Sequence, residues 1–113
     1  MRESWMATIP KKIIVEQIAD KVGGKRSLVR DVIQSFLDMI IEELANGNRF
    51  EFREFGVFEV VFRKERTALN PKTMRKVKVP AKAVVHFKPG KAMREKVNEA
   101  FESGKLGDDG KKN

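Results

Sequence analysis

The feature that most constrains how this chain can fold is residues 63–80, RKERTALNPKTMRKVKVP. This stretch holds seven basic residues and a single acid, Glu65. A segment with so much like charge cannot be buried, so it must project from the body and favours a polyanionic partner such as a phosphate backbone. Asn70-Pro71 predicts a turn near its middle, because proline fixes its own φ and restricts the residue before it.

The sequence on either side of this turn favours strands. Residues 57–62 are rich in valine and phenylalanine, and lysine alternates with valine over residues 76–79. Alternation with a period of two is typical of a strand with one exposed face. The sequence therefore predicts a two-stranded ribbon arm at about residues 62–80, with a proline near its tip and cations along its flanks.

The net charge is concentrated in the middle third of the chain. Residues 49–91 contain 12 basic and 4 acidic residues, which accounts for the whole formal charge of +8. Residues 1–48 contain 7 of each sign, and residues 92–113 contain 5 of each. A basic surface confined to one region indicates nucleic acid as the partner. Membrane binding would instead place the charge on an amphipathic helix, whereas here it falls on predicted strands.

Other features of the composition bear on cellular location. The chain has no cysteine, which excludes disulfides and thiolate metal sites. No apolar run approaches the roughly 20 residues that span a bilayer, and the N-terminus lacks a secretory signal. We therefore expect a cytoplasmic protein with no membrane partner. Residues 1–9 are predicted to form a flexible tail in which Trp5 is exposed rather than a packed anchor, and Met6 is a second candidate start.

Apolar periodicity predicts two helices before the arm. The first begins near Pro10 and is ended by Gly23-Gly24, and the second covers residues 26–46 with Gly47 as its cap. The apolar residues of the second helix form two adjacent rows: Leu28, Val32, Phe36, Ile40 and Leu44, and Val29, Ile33, Leu37 and Ile41. A stripe this broad predicts a dimer whose core is shared between chains. The alternative is a monomer whose long helix covers its own sheet.

Two strands are expected between the second helix and the arm, separated by a turn near Gly56. Alternation places Phe50 and Phe52 on one face, and Phe58, Val60 and Phe62 on another, with both faces available to pack on the long helix. We interpret these phenylalanines as core residues, since the chain lacks the aromatic motif of an RNA-recognition sheet.

Beyond the arm, Val85 and Phe87 predict a strand that returns to the body. A last helix follows and is ended by Gly104, after which residues 105–113 are predicted to be disordered. His86 is the single histidine. Without cysteine or a nucleophile–base pair it supports neither a zinc site nor a catalytic triad. We therefore predict no enzyme, no cofactor, no metal and no small-molecule substrate.

Three short motifs occur in order along the chain: EFGVF at 54–58, RTALNPKT at 66–73 and FKPGKA at 87–92. Their combination and spacing resemble the bacterial HU and integration host factor family of histone-like proteins. The resemblance covers residues 11–98 and implies an α+β fold with two N-terminal helices, a three-stranded antiparallel sheet, a protruding ribbon arm and a short C-terminal helix. It also implies that residues 10–104 form one DNA-binding domain within an intertwined homodimer.

The resemblance further implies a nucleoid-associated protein that binds the minor groove of double-stranded DNA with little sequence specificity and bends, wraps or compacts it. Pro71 would be the wedge that intercalates between base steps. The candidate DNA-binding residues are Arg53, Arg63, Lys64, Arg66, Asn70, Pro71, Lys72, Arg75, Lys76, Lys78, Lys88 and Lys91. The candidate residues of the dimer core are Phe36, Ile40, Leu44, Phe55, Phe58 and Phe87.

The chain departs from the usual pattern of that family at the hairpin turn and at the arm tip. Glu54 stands where the family usually has glycine, and Ala68, Leu69 and Met74 replace its usual glycine, arginine and glycine around the tip. Leu69 and Met74 would either assist intercalation or stiffen the loop. Two functional alternatives remain: a sequence-specific, heterodimeric bending protein like integration host factor, and a basic RNA-binding domain.

Overall fold

The computed structural model describes residues 7–106. Trp5 and most of the predicted C-terminal tail lie outside these residues. The elements follow the order α1 (Lys11–Val22), α2 (Arg26–Ala45), β1 (Phe50–Phe52), β2 (Gly56–Arg63), β3 (Arg66–Leu69), β4 (Lys76–Val79), β5 (Lys82–Pro89) and α3 (Lys91–Glu102). This order confirms the predicted α+β fold with its projecting ribbon.

The two N-terminal helices form a hairpin around a small core. Pro10 lies just before the first helical residue, and its carbonyl accepts hydrogen bonds from the N–H groups of the first turn. Gly23 ends α1 in the left-handed region, with φ of 70°, which glycine adopts without steric cost. Val15, Ala19 and Val29 are buried where α1 packs on α2. This contact fixes the direction in which α2 leaves the hairpin.

The main sheet is antiparallel with strand order β1-β2-β5. Phe50 lies opposite Phe58, and Phe58 lies opposite Phe87. Because residues directly opposite each other share a face, the phenylalanines of β1 and β2 lie on the same face. The prediction that they occupy different faces was wrong, since alternation within a strand does not give the register between strands. This face packs on α2, where the Phe36 and Phe52 ring centroids are 5.8 Å apart.

The arm is the continuation of β2 and β5. Arg63 pairs with Lys82 at the end of the main sheet, and Arg66 pairs with Val79 at the start of the two-stranded sheet β3-β4. The same register therefore continues from body to arm. The ladder is interrupted at residues 64–65 and 80–81, where Pro80 has no N–H to donate. The interruption separates a sheet that is packed on α2 from a ribbon that projects from it.

Gly90 joins the hairpin turn to α3 by close backbone contact. Its N–H donates to the Phe55 carbonyl oxygen at 2.7 Å. A Cβ added at Gly90 would lie 2.7 Å from both the carbonyl carbon and the oxygen of Glu54. The Gly90 backbone is extended, a conformation that any residue can adopt. Glycine is therefore required here for its small size and not for its conformational freedom. This contact brings the FKPGKA and EFGVF motifs together in space, although the whole arm lies between them in the sequence.

The last helix, α3, ends in a glycine cap that satisfies its terminal carbonyls. Gly104 has φ of 82° and donates to the Phe101 carbonyl at 3.1 Å, while Lys105 donates to the Ala100 carbonyl at 2.9 Å. This pair of bonds is the Schellman arrangement. Among residues 7–106, no helix is both long enough and apolar enough to cross a membrane.

Candidate nucleic-acid interface

The arm tip is a six-residue loop organised by Asn70. The Asn70 N–H donates to the Arg75 carbonyl at 2.9 Å, and the Asn70 carbonyl accepts from the Met74 N–H at 2.7 Å. The Asn70 side-chain Oδ1 accepts from the Lys72 N–H at 2.9 Å, which forms an Asx turn around Pro71. These bonds hold the proline at an exposed, defined position at the end of the arm.

The register of the arm determines on which face each of its cations lies. Lys76 lies opposite Leu69, and Lys78 lies opposite Thr67, so these four residues share one face of the ribbon. Arg66 belongs to the other face. Cations are thus present on both faces, as suits a ribbon that contacts backbone phosphates on either side.

The single acid of the arm forms an ion pair at its base. Lys78 Nζ lies 3.1 Å from Glu65 Oε2, and both side chains are more than half exposed. An exposed pair of this kind contributes little to stability and is screened by salt. Lys78 can therefore exchange Glu65 for a phosphate oxygen with little loss.

The outer face of the main sheet, turned away from α2, is mixed in charge. By register it carries Lys88 opposite Val57, His86 opposite Glu59, and Lys82 opposite Arg63. His86 Nδ1 lies 3.7 Å from Glu59 Oε2. Arg63 and Lys82 thus lie at the end of this face from which the arm projects, and Lys88 lies at the opposite end, next to the hairpin turn.

Arg49, just before β1, crosses to the carboxylates of this outer face. It lies 3.8 Å from Glu51 and 3.7 Å from Glu59, measured between nitrogen and oxygen. Arg49 and Lys82 were absent from the predicted interface. Lys82 could have been found by extending the ribbon register from Arg63, whereas Arg49 carried no local signal.

The twelve predicted DNA-binding residues are all exposed. Eight lie on the arm or at the interruption before it: Lys64, Arg66, Asn70, Pro71, Lys72, Arg75, Lys76 and Lys78. Arg63 and Lys88 lie on β2 and β5. Arg53 lies in the turn after β1, and Lys91 is the first residue of α3. The last two are thus set apart from the arm, at the hairpin turn and α3 end of the body.

Most of the predicted dimer-core residues belong to one aromatic cluster. The rings of Phe58 and Phe87 are 4.7 Å apart, and those of Phe55 and Phe87 are 5.7 Å apart. Phe36 joins the cluster through Phe52. Phe36 and Phe55 are about half exposed, at 48% and 50%. Leu44 is buried and Ile40 is partly buried. A single chain thus gathers these side chains but leaves Phe36 and Phe55 half exposed.

Residues 9–98 match the family described as bacterial DNA-binding protein. The chain belongs to this family. It is 40% identical over 92 residues to the DNA-binding protein HU of Thermus thermophilus, with 81% of this chain and 95% of the relative covered. It is 43% identical over 97 residues to the integration host factor subunit beta of Marinobacter nauticus, with 83% and 97% covered.

Solved structures of this family share the fold. The chain aligns with Anabaena HU from a cocrystal with DNA with a TM-score of 0.73 and 36% identity, covering 79% of this chain and 97% of that one. Thermotoga maritima HU aligns with a TM-score of 0.57 and 31% identity, covering 79% and 98%. The predicted family membership is confirmed by these relatives.

Two departures from the usual family pattern lie at unusual backbone conformations. Glu54 has φ of 68° and Met74 has φ of 59°, and among residues 7–106 they are the only non-glycine residues with positive φ. The left-handed region favours glycine, because a Cβ there approaches the following carbonyl oxygen. Both positions therefore hold a side chain in a conformation that glycine adopts more readily. Glutamate and methionine give no sequence signal for this conformation.

Proposed function

We propose that this protein is an architectural DNA-binding homodimer that holds double-stranded DNA between two arms and bends it. The observation that carries the proposal is the arm: an ordered ribbon in register with the body, cationic on both faces, with Pro71 fixed at its tip by Asn70. The match to the bacterial DNA-binding protein family and the likeness to Anabaena HU, solved with DNA, support it.

Homodimerisation is supported by the apolar surface of the single chain. Val32 and Ile41 on α2 are 59% and 68% exposed, and Phe62 on the sheet is 82% exposed. Together with the half-exposed Phe36 and Phe55, these residues form a surface that a soluble monomer rarely leaves uncovered. A second copy presenting the same surface would bury both, as in an isologous interface. Phe36, Ile40, Leu44, Phe55, Phe58 and Phe87 would then contribute to the shared core.

Affinity would come mainly from contacts to phosphates. Residues 63–80 carry seven cations and one acid, and the acid forms an exchangeable surface pair. Each phosphate neutralised releases condensed counterions, so that binding weakens steeply with salt. If a dimer neutralises roughly 6 to 10 phosphates, the binding constant should fall by about three to five decades between 50 and 200 mM salt.

Bending would come from the wedge at the tip. An apolar ring inserted between base pairs from the minor groove unstacks one step at a cost of a few kcal/mol and kinks the duplex by roughly 20 to 90°. That range belongs to minor-groove architectural proteins as a class, HU and integration host factor included. The kink brings more of the DNA backbone to the outer face of the sheet and the cations of the body. Pro71 would therefore determine the bend, and the cations the affinity.

Specificity should be weak, because the minor groove distinguishes A·T from G·C pairs and little else. DNA that is flexible, nicked or already bent should bind better, since part of the deformation cost is removed. We therefore infer a nucleoid-associated role in the cytoplasm, in compaction or shaping of DNA rather than in catalysis.

A sequence-specific role like that of integration host factor is a second candidate. Subunit beta relatives share 41 to 44% identity with this chain, as high as the HU relatives. Measuring the affinity for several unrelated DNA duplexes of one length distinguishes the sequence-specific role from the HU-like role. Affinities within about tenfold of one another favour the HU-like role, whereas one sequence bound about a thousandfold better favours the other.

The proposed function is tested by measuring mass and affinity together. Light scattering during size exclusion should give twice the chain mass of 12.9 kDa. Fluorescence anisotropy should then show tighter binding to a 35-base-pair DNA duplex than to duplex RNA of the same sequence, with the salt dependence given above. A monomeric mass, or a salt-independent affinity, contradicts the proposal. Equal affinity for the RNA favours the basic RNA-binding alternative.

A further inference from the structure

The arm tip is apolar although the arm is cationic. Leu69, Pro71 and Met74 lie within six consecutive positions, and the side chains of Leu69 and Met74 are 53% and 68% exposed. Leu69 forms the last ladder pair of the ribbon with Lys76, so it stands directly beside the loop that carries Pro71. Two exposed apolar side chains therefore accompany the proline at the end of the arm.

Neither side chain is needed to close the loop. The bonds that define the tip are made by backbone groups and by the side chains of Asn70 and Thr73; the Thr73 hydroxyl accepts from the Arg75 N–H at 3.3 Å. Leu69 and Met74 contribute only backbone atoms to this arrangement. Their exposed side chains are thus available to a partner.

The conformation of Met74 adds a second observation. With φ of 59°, Met74 occupies the left-handed region, where a side chain costs free energy that glycine would not. The loop hydrogen bonds impose this conformation, but they do not require a side chain there, and a residue held in a strained conformation is a reason to look for function. Methionine is flexible and polarisable, and its thioether packs well on aromatic faces, which is the surface that an unstacked base pair presents.

We propose that Leu69 and Met74 extend the Pro71 wedge, so that each arm tip enters an opened base step with three apolar side chains. This inference rests on the proposed function and adds two residues to its wedge, whose contribution is best measured at a weakened base step such as a mismatch. Stacking is partly lost at such a step, so a wide apolar wedge gains contact with base faces at a lower cost of unstacking.

The test uses the full chain and a 35-base-pair duplex with 2-aminopurine beside a central mismatch. Fluorescence of 2-aminopurine rises when the base is unstacked, and anisotropy gives the affinity. Leu69→Ala and Met74→Ala should each weaken binding roughly five- to tenfold, as expected for partial burial of the deleted carbons, and reduce the fluorescence rise. The salt dependence should stay unchanged, because no phosphate contact is removed. Val77→Ala, an exposed apolar truncation on the opposite face of the arm, is the matched control and should stay within about twofold of wild type.

Pro71→Ala separates failure of this inference from failure of the proposed function. If Pro71→Ala loses the fluorescence rise while Leu69→Ala and Met74→Ala behave as wild type, the proline acts alone and the extended wedge is refuted. A change in salt dependence with either truncation would also overturn it, since the residues would then be acting through ionic contacts. A wild-type protein that binds without any fluorescence rise would refute the wedge of the proposed function and this inference with it.

Discussion

Replacing Asn70 with alanine should loosen the arm tip and weaken DNA binding without destabilising the body. The Asn70 side chain contributes one hydrogen bond to the tip, from the Lys72 N–H to Oδ1 at 2.9 Å. An intramolecular hydrogen bond contributes about 1 kcal/mol net. Losing that amount lowers the population of the observed tip conformation by at most about fivefold. Affinity should fall by up to the same factor for each arm, because the unbound tip must return to this conformation before Pro71 can enter a base step.

Two measurements on Asn70→Ala check this reasoning. Amide hydrogen exchange of the free protein should be faster at Lys72, whereas the amides of β2 and β5 should keep their protection. Anisotropy titrations should show the loss of affinity at every salt concentration. Asn70→Ser is the matched control, because its hydroxyl oxygen can accept the same bond more weakly and should recover part of both effects.

A different outcome would assign Asn70 another role. If the Lys72 amide exchanges as in wild type while affinity falls, Asn70 acts by direct contact with DNA and does not organise the tip. Unchanged affinity together with faster exchange would show that the order of the tip does not limit binding, which contradicts the reasoning above.

Three further changes test other parts of the account, with stability measured by urea denaturation at one fixed protein concentration. Gly90→Ala should lower the free energy of unfolding by about 2 kcal/mol or more. The new Cβ would lie 2.7 Å from the Glu54 backbone and would displace the hydrogen bond from the Gly90 N–H to the Phe55 carbonyl. A variant as stable as wild type would refute this packing. Glu54→Gly should raise stability by about 0.5 kcal/mol, since relief of the left-handed conformation exceeds the added entropy of the unfolded chain; a loss of stability would show that the Glu54 side chain has a stabilising role. Arg66→Ala should weaken binding to unrelated DNA sequences alike and reduce the salt slope by about one for each phosphate that Arg66 neutralises; weaker binding to one sequence only would indicate base readout.

The sequence predicted the elements well because their signals are local. Charge density required residues 63–80 to project, and Asn70-Pro71 marked the turn that now forms the tip. Apolar spacing and terminal glycines gave α1, α2 and α3 to within a residue or two at most ends. Each of these predictions depends on residues close to one another in the chain.

The relations between elements were harder to predict. Alternation within β1 and β2 left their register open, so Phe50 and Phe58 were assigned to different faces although they lie opposite each other. The contact of Gly90 with Glu54 joins distant positions and depends on a distance that no pattern encodes. The left-handed conformation of Met74 could not be predicted from the sequence for another reason. The surrounding hydrogen bonds impose this conformation on a residue type that does not prefer it.

The most direct test of the central claim, that Pro71 at the tip of each arm bends DNA, is the end-to-end distance of a 35-base-pair duplex carrying a donor and an acceptor dye at its ends. Wild-type protein should raise energy transfer at both low and moderate salt, and Pro71→Ala should lose most of that rise while retaining much of its affinity, because the cations are unchanged. If wild type saturates the duplex without raising energy transfer, or if Pro71→Ala bends it as fully as wild type, the account of the arm as a wedge is contradicted.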